Sequence, residues 1–262
     1  MPVPDPPKRK FSRAIVRTPC RRIAKGLTSA DLGRPDYDKA LWQHGEYVEA
    51  LKTCGLDVTV LPADDRYPDS VFVEDTAVLT ARCAVLTHPG AKSRRGEVDA
   101  VREAIAGFYE TVEEIKPPGT LEGGDVMGVE EVYYIGLSKR TNAAGARQLV
   151  DILRRYGMEG APIAIDDLLH LKTGVNYIDR NCLLITGEFL QEAAFRSFRQ
   201  IRVDPREAYA ANCLWLNGTV LVPQGFPETR TRIEAAGYET IAVDVSEFRK
   251  LDGGLSCLSL RF

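Results

Sequence analysis

Short runs of alternating apolar residues recur along the chain, separated by stretches in which apolar residues follow helical spacing. Arg13–Arg17 and Asp57–Leu61 are predicted strands. Between them, residues 36–54 place apolar side chains every three or four positions, which predicts a helix. Gly55 follows at the position where a glycine commonly ends a helix. The pattern thus opens with a strand, a helix and a second strand.

The remaining chain repeats one order of elements: strand, strand, helix, strand. In units two to five, the hairpin strands are predicted at 71–80 and 83–88, 124–129 and 132–137, 177–178 and 182–186, and 213–217 and 219–223. The helices that follow them are predicted at 97–109, 142–157, 190–198 and 228–237. The last strands of these units are predicted at 112–115, 162–165, 201–203 and 240–243. Self-similarity at such a period is typical of arrays and propellers.

Pairing of residues 255–262 with the N-terminal strand would give that first unit its missing strand. The sequence then predicts a five-bladed α/β-propeller of ββαβ repeats, a closed ring in which equivalent positions converge on one axis. Arg94 and Arg140 follow the second hairpin strand of adjacent units and are predicted to occupy equivalent places. The alternative is a plain α/β sandwich with accidental repeats. On the propeller interpretation, residues 12–262 form one catalytic domain and residues 1–11 a loose arm.

Composition narrows the classes of function. The chain has 262 residues, 44% hydrophobic and 27% charged, with a net charge of −3, which argues against a nucleic-acid or anionic-membrane partner. No apolar run approaches the roughly 18 residues of a membrane span, and no signal peptide is recognisable. The six cysteines form no CxxC pair, which favours free thiols in a reducing compartment. We therefore predict a cytoplasmic protein, monomeric or homodimeric.

Cys257 and His170 are the candidate reactive pair. Cys257 follows a Gly-Gly turn within a predicted strand, LDGGLSCLSLRF, although a buried structural cysteine would give the same pattern. His170 lies at a strand-to-turn junction in LLHLKTG, where an imidazole can act as acid and base near neutral pH. The other histidines, His44 and His88, have no acidic neighbour in their motifs and are interpreted as structural.

Charged residues in other motifs supply what such a pair would need. Glu122 precedes two glycines, which permit close backbone approach, and its carboxylate could fix the imidazole tautomer; the alternative is a tight turn with a solvated acid. Glu74 and Asp75 lie in an apolar predicted strand, where they need a partner, either a protein arginine or a cationic substrate. Arg94 and Arg140 suit a carboxylate. The combination describes a site for a zwitterion with a cationic tail, such as arginine.

The motifs FVEDTAV, PGAKSRRGEVD, GTLEGGDV, GLSKRTN, LHLK and LDGGLSCLS, in this order, resemble the dimethylarginine dimethylaminohydrolase family of the guanidino-group-modifying superfamily. The resemblance covers nearly the whole chain beyond the first dozen residues. It implies the five-bladed pentein fold and hydrolysis of N-omega-methylated arginines, a small-molecule substrate class, to citrulline and methylamine or dimethylamine. It implies no metal and no organic cofactor.

The same resemblance assigns roles to residues. Cys257 would be the nucleophile that forms an S-alkylthiouronium intermediate, His170 the general acid and base, and Glu122 its orienting carboxylate. Either the bound guanidinium or His170 would promote ionisation of the thiol. The implied substrate-binding residues are Asp75 with Glu74 for the guanidinium, Asp69 with the backbone of Leu27 and Leu251 for the α-amino group, and Arg94 with Arg140 for the α-carboxylate.

Three alternatives remain. Arginine deiminase shares the fold, but typically has an Asp two residues after the catalytic His, where this chain has Lys172, and commonly carries an extra helical domain for which this chain is too short. A non-catalytic propeller would have no reason to combine these motifs, and a net charge of −3 suits RNA poorly. A cysteine protease would require a motif around Cys257 that is absent.

Overall fold

The structure is a computed structural model that describes residues 11–262; residues 1–10 of the predicted arm lie outside the described residues. Within this range the strands form five three-stranded sheets. The strands are β1 (Arg13–Arg17), β2 (Asp57–Leu61), β3 (Ala77–Leu79), β4 (Ala84–Leu86), β5 (Val112–Glu114), β6 (Val126–Val129), β7 (Val132–Leu137), β8 (Glu159–Ala164), β9 (Val175–Tyr177), β10 (Cys182–Ile185), β11 (Arg199–Arg202), β12 (Leu214–Leu216), β13 (Thr219–Pro223), β14 (Glu239–Val243) and β15 (Leu260–Arg261).

All five sheets share one topology, in which the middle strand is antiparallel to the first strand and parallel to the third. In the sheet β3-β4-β5, for example, β4 runs antiparallel to β3 and parallel to β5. The same arrangement joins β15, β1 and β2, with Ala14 opposite Arg261 and Ile15 opposite Leu260. The predicted closure of the first unit by the last strand is confirmed, although that strand covers two residues instead of 255–262.

Helices connect the parallel strands of four sheets. The helices are α1 (Tyr37–Thr53), α2 (Glu97–Ala106), α3 (Ala143–Arg155), α4 (Leu171–Gly174), α5 (Pro227–Ala235) and α6 (Ser246–Arg249). Side-chain caps fix two starts: Asp36 accepts from the N–H of Lys39, and Asn142 from that of Gly145, both at 2.8 Å. The predicted helix at 190–198 is wrong. The chain there forms 3₁₀ turns at Gly187–Gln191 and Ala193–Phe195, each of which buries one phenylalanine, Phe189 and Phe195.

A short helical turn precedes the first strand of every sheet. These turns are Val73–Thr76, Gly123–Asp125, α4, Pro205–Ala211 and Ser256–Leu258, and we refer to them together as the turn ring. Neighbouring members pack against each other from Ser256–Leu258 through Val73–Thr76 and Gly123–Asp125 to α4 and Pro205–Ala211. Glu74, Asp75 and Cys257 were expected in strands, and this placement is wrong: all three lie in the turn ring.

The core lies between the sheets and the helices that cover them. In the third unit, for example, Leu149 and Leu153 of α3 are fully buried and belong to one cluster with Ile135 of β7. Phe11, at the end of the predicted arm, packs edge-on against Trp215 with the ring centroids 6.3 Å apart. Over the described part of the chain, no helix combines the length and the apolar character needed to cross a membrane.

Candidate active site

The turn ring has a cavity on each side. The smaller, of about 250 Å³, is termed the front cavity, and the larger, of about 800 Å³, the rear cavity. Consecutive residues of one turn face different cavities. Asp75 and Cys257 line the front cavity, whereas their neighbours Glu74 and Ser256 line the rear cavity. The ring is therefore a thin partition with different chemistry on its two faces.

The front cavity brings together nearly the whole predicted site. The predicted residues that line it are Leu27, Asp69, Asp75, Arg94, Glu122, Arg140, His170, Leu251 and Cys257. They come from distant parts of the sequence, and the repeated topology of the sheets delivers them to one place. Phe72 and Leu169 add apolar wall to the same cavity.

Glu74 is the predicted site residue that the structure does not place in the front cavity. Its Oε1 lies 2.6 Å from Lys172 Nζ and 2.6 Å from Arg261 Nη2, and its Oε2 accepts from Ser256 Oγ at 2.9 Å. Two cations therefore hold this buried carboxylate on the rear side of the turn ring. The expectation that Glu74 lies beside Asp75 against a substrate guanidinium is corrected accordingly.

Cys257 presents its thiol to the front cavity from the middle of a 3₁₀ turn. The backbone N–H of Gly254 donates to Sγ at 3.4 Å. Burial, together with the carboxylates of Glu74 and Asp75, raises the pKa of the Cys257 thiol to about 12. Without a cationic ligand, the thiol is therefore held in its protonated form at neutral pH.

His170 and Glu122 form a buried ion pair. Nε2 of His170 lies 2.8 Å from Oε2 of Glu122, whose side chain is fully buried. Although desolvation opposes its charge, the carboxylates of Asp75, Asp125 and Glu122 raise the pKa of His170 to about 9. The pKa of Glu122 falls to about 2, because the hydrogen bond and charge of His170 outweigh desolvation. The pair fixes the ring and leaves Nδ1 as the nitrogen not bound to Glu122.

The glycines after Glu122 allow close approach of the backbone to this pair. The N–H of Gly124 donates to Asp75 Oδ1 at 2.9 Å. A Cβ atom at Gly124 would lie 2.8 Å from Nδ1 of His170 and 2.9 Å from Asp75 Oδ1, which is closer than real contacts allow. The prediction of close approach is therefore confirmed, and the alternative of a solvated turn acid is wrong.

Arg94 and Arg140 differ in how far the protein already engages them. Arg94 is buried: Nη1 pairs with Asp75, Nη2 donates to Phe72 O at 2.9 Å, and Nε and Nη2 both contact the carboxylate of Glu97. Burial opposes its charge, but Glu97 and Asp75 raise the pKa of Arg94. Arg140 is more exposed, and its Nη1 lies 3.4 Å from Glu122 Oε1. Arg140 therefore has more donor capacity left for a ligand.

Another part of the front cavity is built around Asp69 and a loop at residues 26–29. Asp69 Oδ1 accepts from the N–H of Leu27 at 2.8 Å, and burial raises the pKa of Asp69. The loop is fastened on its outer side by Asp252, whose Oδ2 accepts from the N–H of Ser29 at 2.6 Å and from its hydroxyl at 3.0 Å. Ser29 and Asp252 were not predicted from the sequence, although Asp252 stands within the LDGG motif.

Asp125 is a third residue of this region that was not predicted from the sequence. It is fully buried; Oδ1 accepts from the N–H of Leu171 at 3.0 Å, and Oδ2 accepts from Ser138 Oγ at 2.7 Å. The Leu171 contact fixes the backbone immediately after His170. The available signal was the last letter of LEGGD, an acid that follows two glycines.

Asp75, Glu122 and His170 form the group within the described residues that could hold a metal ion, with one ligand atom from each lying within 4.8 Å of the others. Each already has a protein partner: Asp75 pairs with Arg94, and Glu122 with His170. These contacts satisfy the two carboxylates and the Nε2 atom from within the protein.

Comparison with known proteins gives a consistent assignment. The family model described as N,N dimethylarginine dimethylhydrolase, eukaryotic, matches residues 34–201. The N(G),N(G)-dimethylarginine dimethylaminohydrolase of Pseudomonas aeruginosa is 52% identical over 96% of this chain and 100% of its own length. A solved structure of a cysteine-to-serine mutant of the enzyme from that organism, complexed with citrulline, superposes with a TM-score of 0.96 at 51% identity, covering 97% of this chain and 100% of its own. The N-terminal domain of ArgZ, a cyanobacterial arginine dihydrolase, shares the fold at 18% identity, with a TM-score of 0.86 and coverage of 96% and 98%.

Proposed function

The chain belongs to the dimethylarginine dimethylaminohydrolase family, a family of hydrolases, and we propose that it converts N-omega-methylated arginines to citrulline in the front cavity. The observation that carries the proposal is the meeting of a thiol, a His–Glu ion pair and a carboxylate in one cavity of about 250 Å³. Cys257 acts as the nucleophile, His170 as acid and base, and Glu122 as the group that orients and charges His170.

The substrate lies with its guanidinium at Asp75 and its amino-acid end near the mouth. Asp69 and the backbone of Leu27 and Leu251 receive the α-amino group. Arg140 supplies most of the donors for the α-carboxylate, because the N–H groups of Arg94 are already given to Asp75, Glu97 and a backbone carbonyl. Arg94 contributes positive charge and holds Asp75 in place.

The bound guanidinium, and not His170, promotes ionisation of Cys257. The thiol pKa is raised by burial and by the charges of Glu74 and Asp75. A guanidinium seated at Asp75 offsets that negative charge and stabilises a thiolate beside it. His170 is itself a cation at neutral pH, since its pKa is about 9, so it cannot accept the thiol proton. That proton passes to solvent.

The thiolate attacks the guanidinium carbon and forms a C–S bond. The His170 imidazolium, through Nδ1, then protonates the departing methylated nitrogen as the C–N bond breaks, and methylamine or dimethylamine leaves. A water molecule attacks the same carbon of the resulting S-alkylthiouronium, and the now neutral His170 accepts its proton. The C–S bond breaks, the thiolate leaves, and citrulline is released.

Lys172 supports a methylated substrate over arginine. A deiminase-type site would place an acid at this position, so that carboxylates grip the guanidinium from two sides. Here Lys172 lines the rear cavity and pairs with Glu74 at 2.6 Å. Asp75 is thus the guanidinium-facing carboxylate of the proposed site, which leaves the other side of the group free for methyl substituents.

Assays with three separate substrates test the proposal. Asymmetric dimethylarginine, monomethylarginine and arginine are incubated with the enzyme while citrulline and the released amine are measured. We expect turnover of the methylated compounds and little of arginine. Turnover of arginine alone would replace the proposal with a deiminase, and failure on all three would reject both.

We also propose that residues 12–262 act as one catalytic unit, in the cytoplasm and as a monomer or homodimer. All six cysteines are free thiols in the structure, as a reducing compartment requires. Sedimentation of the purified protein over a concentration series measures its assembly state.

A further inference from the structure

One junction of the turn ring is bridged by an asparagine side chain, that of Asn212. Four successive contacts join Ser256–Leu258, Val73–Thr76, Gly123–Asp125, α4 and Pro205–Ala211. The remaining junction lies between Pro205–Ala211 and the turn that carries Cys257. Asn212, which directly follows Pro205–Ala211, reaches across this junction.

The amide of Asn212 binds backbone groups of fixed polarity on both sides. Its Oδ1 accepts from the N–H of Ser256 at 3.0 Å, and its Nδ2 donates to the carbonyl oxygen of Lys172 at 3.1 Å. Nδ2 also donates to Ser256 Oγ at 3.1 Å. A backbone N–H can only donate and a carbonyl can only accept, so these partners define the orientation of the amide.

Both partners adjoin the proposed reactive pair. Ser256 immediately precedes Cys257, and Lys172 lies two residues after His170. The backbone near Ser256 packs closely against the Asn212 amide, since a Cβ atom at Gly254 would lie 2.4 Å from Asn212 Cγ. Asn212 itself is 6% exposed and lines neither cavity. It therefore touches the two turns without being able to touch substrate.

We propose that Asn212 is a positioning residue, which holds the Cys257 turn in register with the His170 turn. The inference rests on the proposed function, because it assumes that Cys257 and His170 act on one substrate. Displacement of a reacting group by about 1 Å costs about 10²-fold in rate. Loss of the amide removes two of the hydrogen bonds that hold Ser256, the residue next to the proposed nucleophile, so the reaction slows while the substrate-binding groups keep their places.

Asn176 provides a matched control. Its Nδ2 also donates to the Lys172 carbonyl, at 2.7 Å, and to Ala211 O at 2.8 Å, and its side chain is likewise 6% exposed. It makes no hydrogen bond to Ser256. Asn212→Ala and Asn176→Ala therefore remove equally buried amides from the same carbonyl, and only the first also removes hydrogen bonds from Ser256.

The test measures kcat and KM for asymmetric dimethylarginine, and in parallel the rate of Cys257 alkylation by iodoacetamide. We expect Asn212→Ala to lower kcat about 10²-fold with KM within about threefold of the wild type, and to change the alkylation rate. We expect Asn176→Ala to keep both rates within about threefold. Equal losses in the two variants, or a kcat for Asn212→Ala near that of the wild type, would refute the positioning role.

Leucine variants and the alkylation readout cover the cases in which an alanine variant does not fold or the enzyme shows no activity. Asn212→Leu and Asn176→Leu retain the number and branching of the side-chain heavy atoms and replace the alanine pair if Asn212→Ala does not fold, as judged by its thermal unfolding. If the wild-type enzyme fails to release citrulline, the proposed function falls, but the alkylation rates still report whether Asn212 holds the Cys257 turn. A normal alkylation rate in the Asn212 variants would then reject the positioning role separately.

Discussion

Glu122→Gln is expected to move the alkaline limit of the reaction toward neutral pH. The substitution keeps the size of the side chain but removes the charge that lies 2.8 Å from His170 Nε2. Burial disfavours the charged imidazolium of His170, and in the variant Glu122 no longer offsets this effect, although Asp75 and Asp125 still favour the charge. The pKa of His170 should fall from about 9 toward its ordinary value of roughly 6.5.

The size of the effect depends on pH. At pH 8 the protonated fraction of His170 would fall from roughly 90% to roughly 3%, about 30-fold, whereas at pH 6 it would change little. Because the departing amine takes its proton from His170 in the proposed mechanism, kcat should fall in proportion to the protonated fraction, in addition to any loss of orientation. The ratio of wild-type to Glu122→Gln activity should therefore rise steeply between pH 6 and pH 9.

The assay follows citrulline release by both proteins across pH 6–10 at saturating substrate. Effects of thiol ionisation are shared by the two proteins and cancel in the ratio. Glu113→Gln is the matched control, since Glu113 forms a surface pair with Arg155 at 2.9 Å, outside both cavities. The ratio of wild-type to Glu113→Gln activity should stay constant across this pH range. Parallel profiles for Glu122→Gln and the wild type would refute the proposed charging of His170.

The same ion pair should also contribute to stability in a defined pH range. The pKa of His170 is raised to about 9, so its contribution of about 3 kcal/mol is present below pH 6.5 and is lost as the pH rises through 9. The free energy of unfolding in urea should therefore differ more between the wild type and Glu122→Gln at pH 6 than at pH 10. A difference in unfolding free energy that grows with pH would contradict a stabilising charge on His170.

Further substitutions probe the other parts of the front cavity. Cys257→Ser should lower turnover by about 10⁴-fold or more while substrate still protects the protein against thermal unfolding; full activity would reject covalent catalysis. Arg140→Ala should raise KM about 10- to 100-fold in steady-state kinetics, with a smaller change in kcat, because it removes a charged donor from the proposed site of the substrate α-carboxylate. An unchanged KM would show that other residues bind this carboxylate. Asp252→Ala should speed tryptic cleavage after Lys25, since it releases Ser29, and an unchanged cleavage rate would mean that Asp252 does not fasten the loop.

The order of the fold was predictable because it rests on local signals. Alternation and helical spacing predicted the repeated elements, and the capping residues Asp36 and Asn142 stand where two of the helices begin. The repeats also made closure by residues near the C-terminal end of the sequence the simplest way to complete the first unit. These features depend on residues a few positions apart, which a single sequence displays.

The turn ring was not predictable in the same way. VFVED and LSCLS are rich in apolar residues and therefore resemble strands, but the backbone turns there and sends consecutive side chains to different cavities. Glu74 was therefore grouped with Asp75 when its partners, Lys172 and Arg261, lie far away in the sequence. Asn212 escaped notice for the same reason, because its hydrogen bonds join residues about 40 positions apart.

The pairing of β15 with β1 has a consequence for biosynthesis. The turn that carries Cys257 and the strand that follows it are the last parts of the ring to emerge from the ribosome, whereas β1 emerges before the other strands. Until then β1 lacks its antiparallel neighbour, the ring is open, and the front cavity lacks the turn that carries Cys257. A growing chain on the ribosome can thus assemble most of its sheets before the proposed nucleophile is in place, and closure of the ring by β15 is a late step.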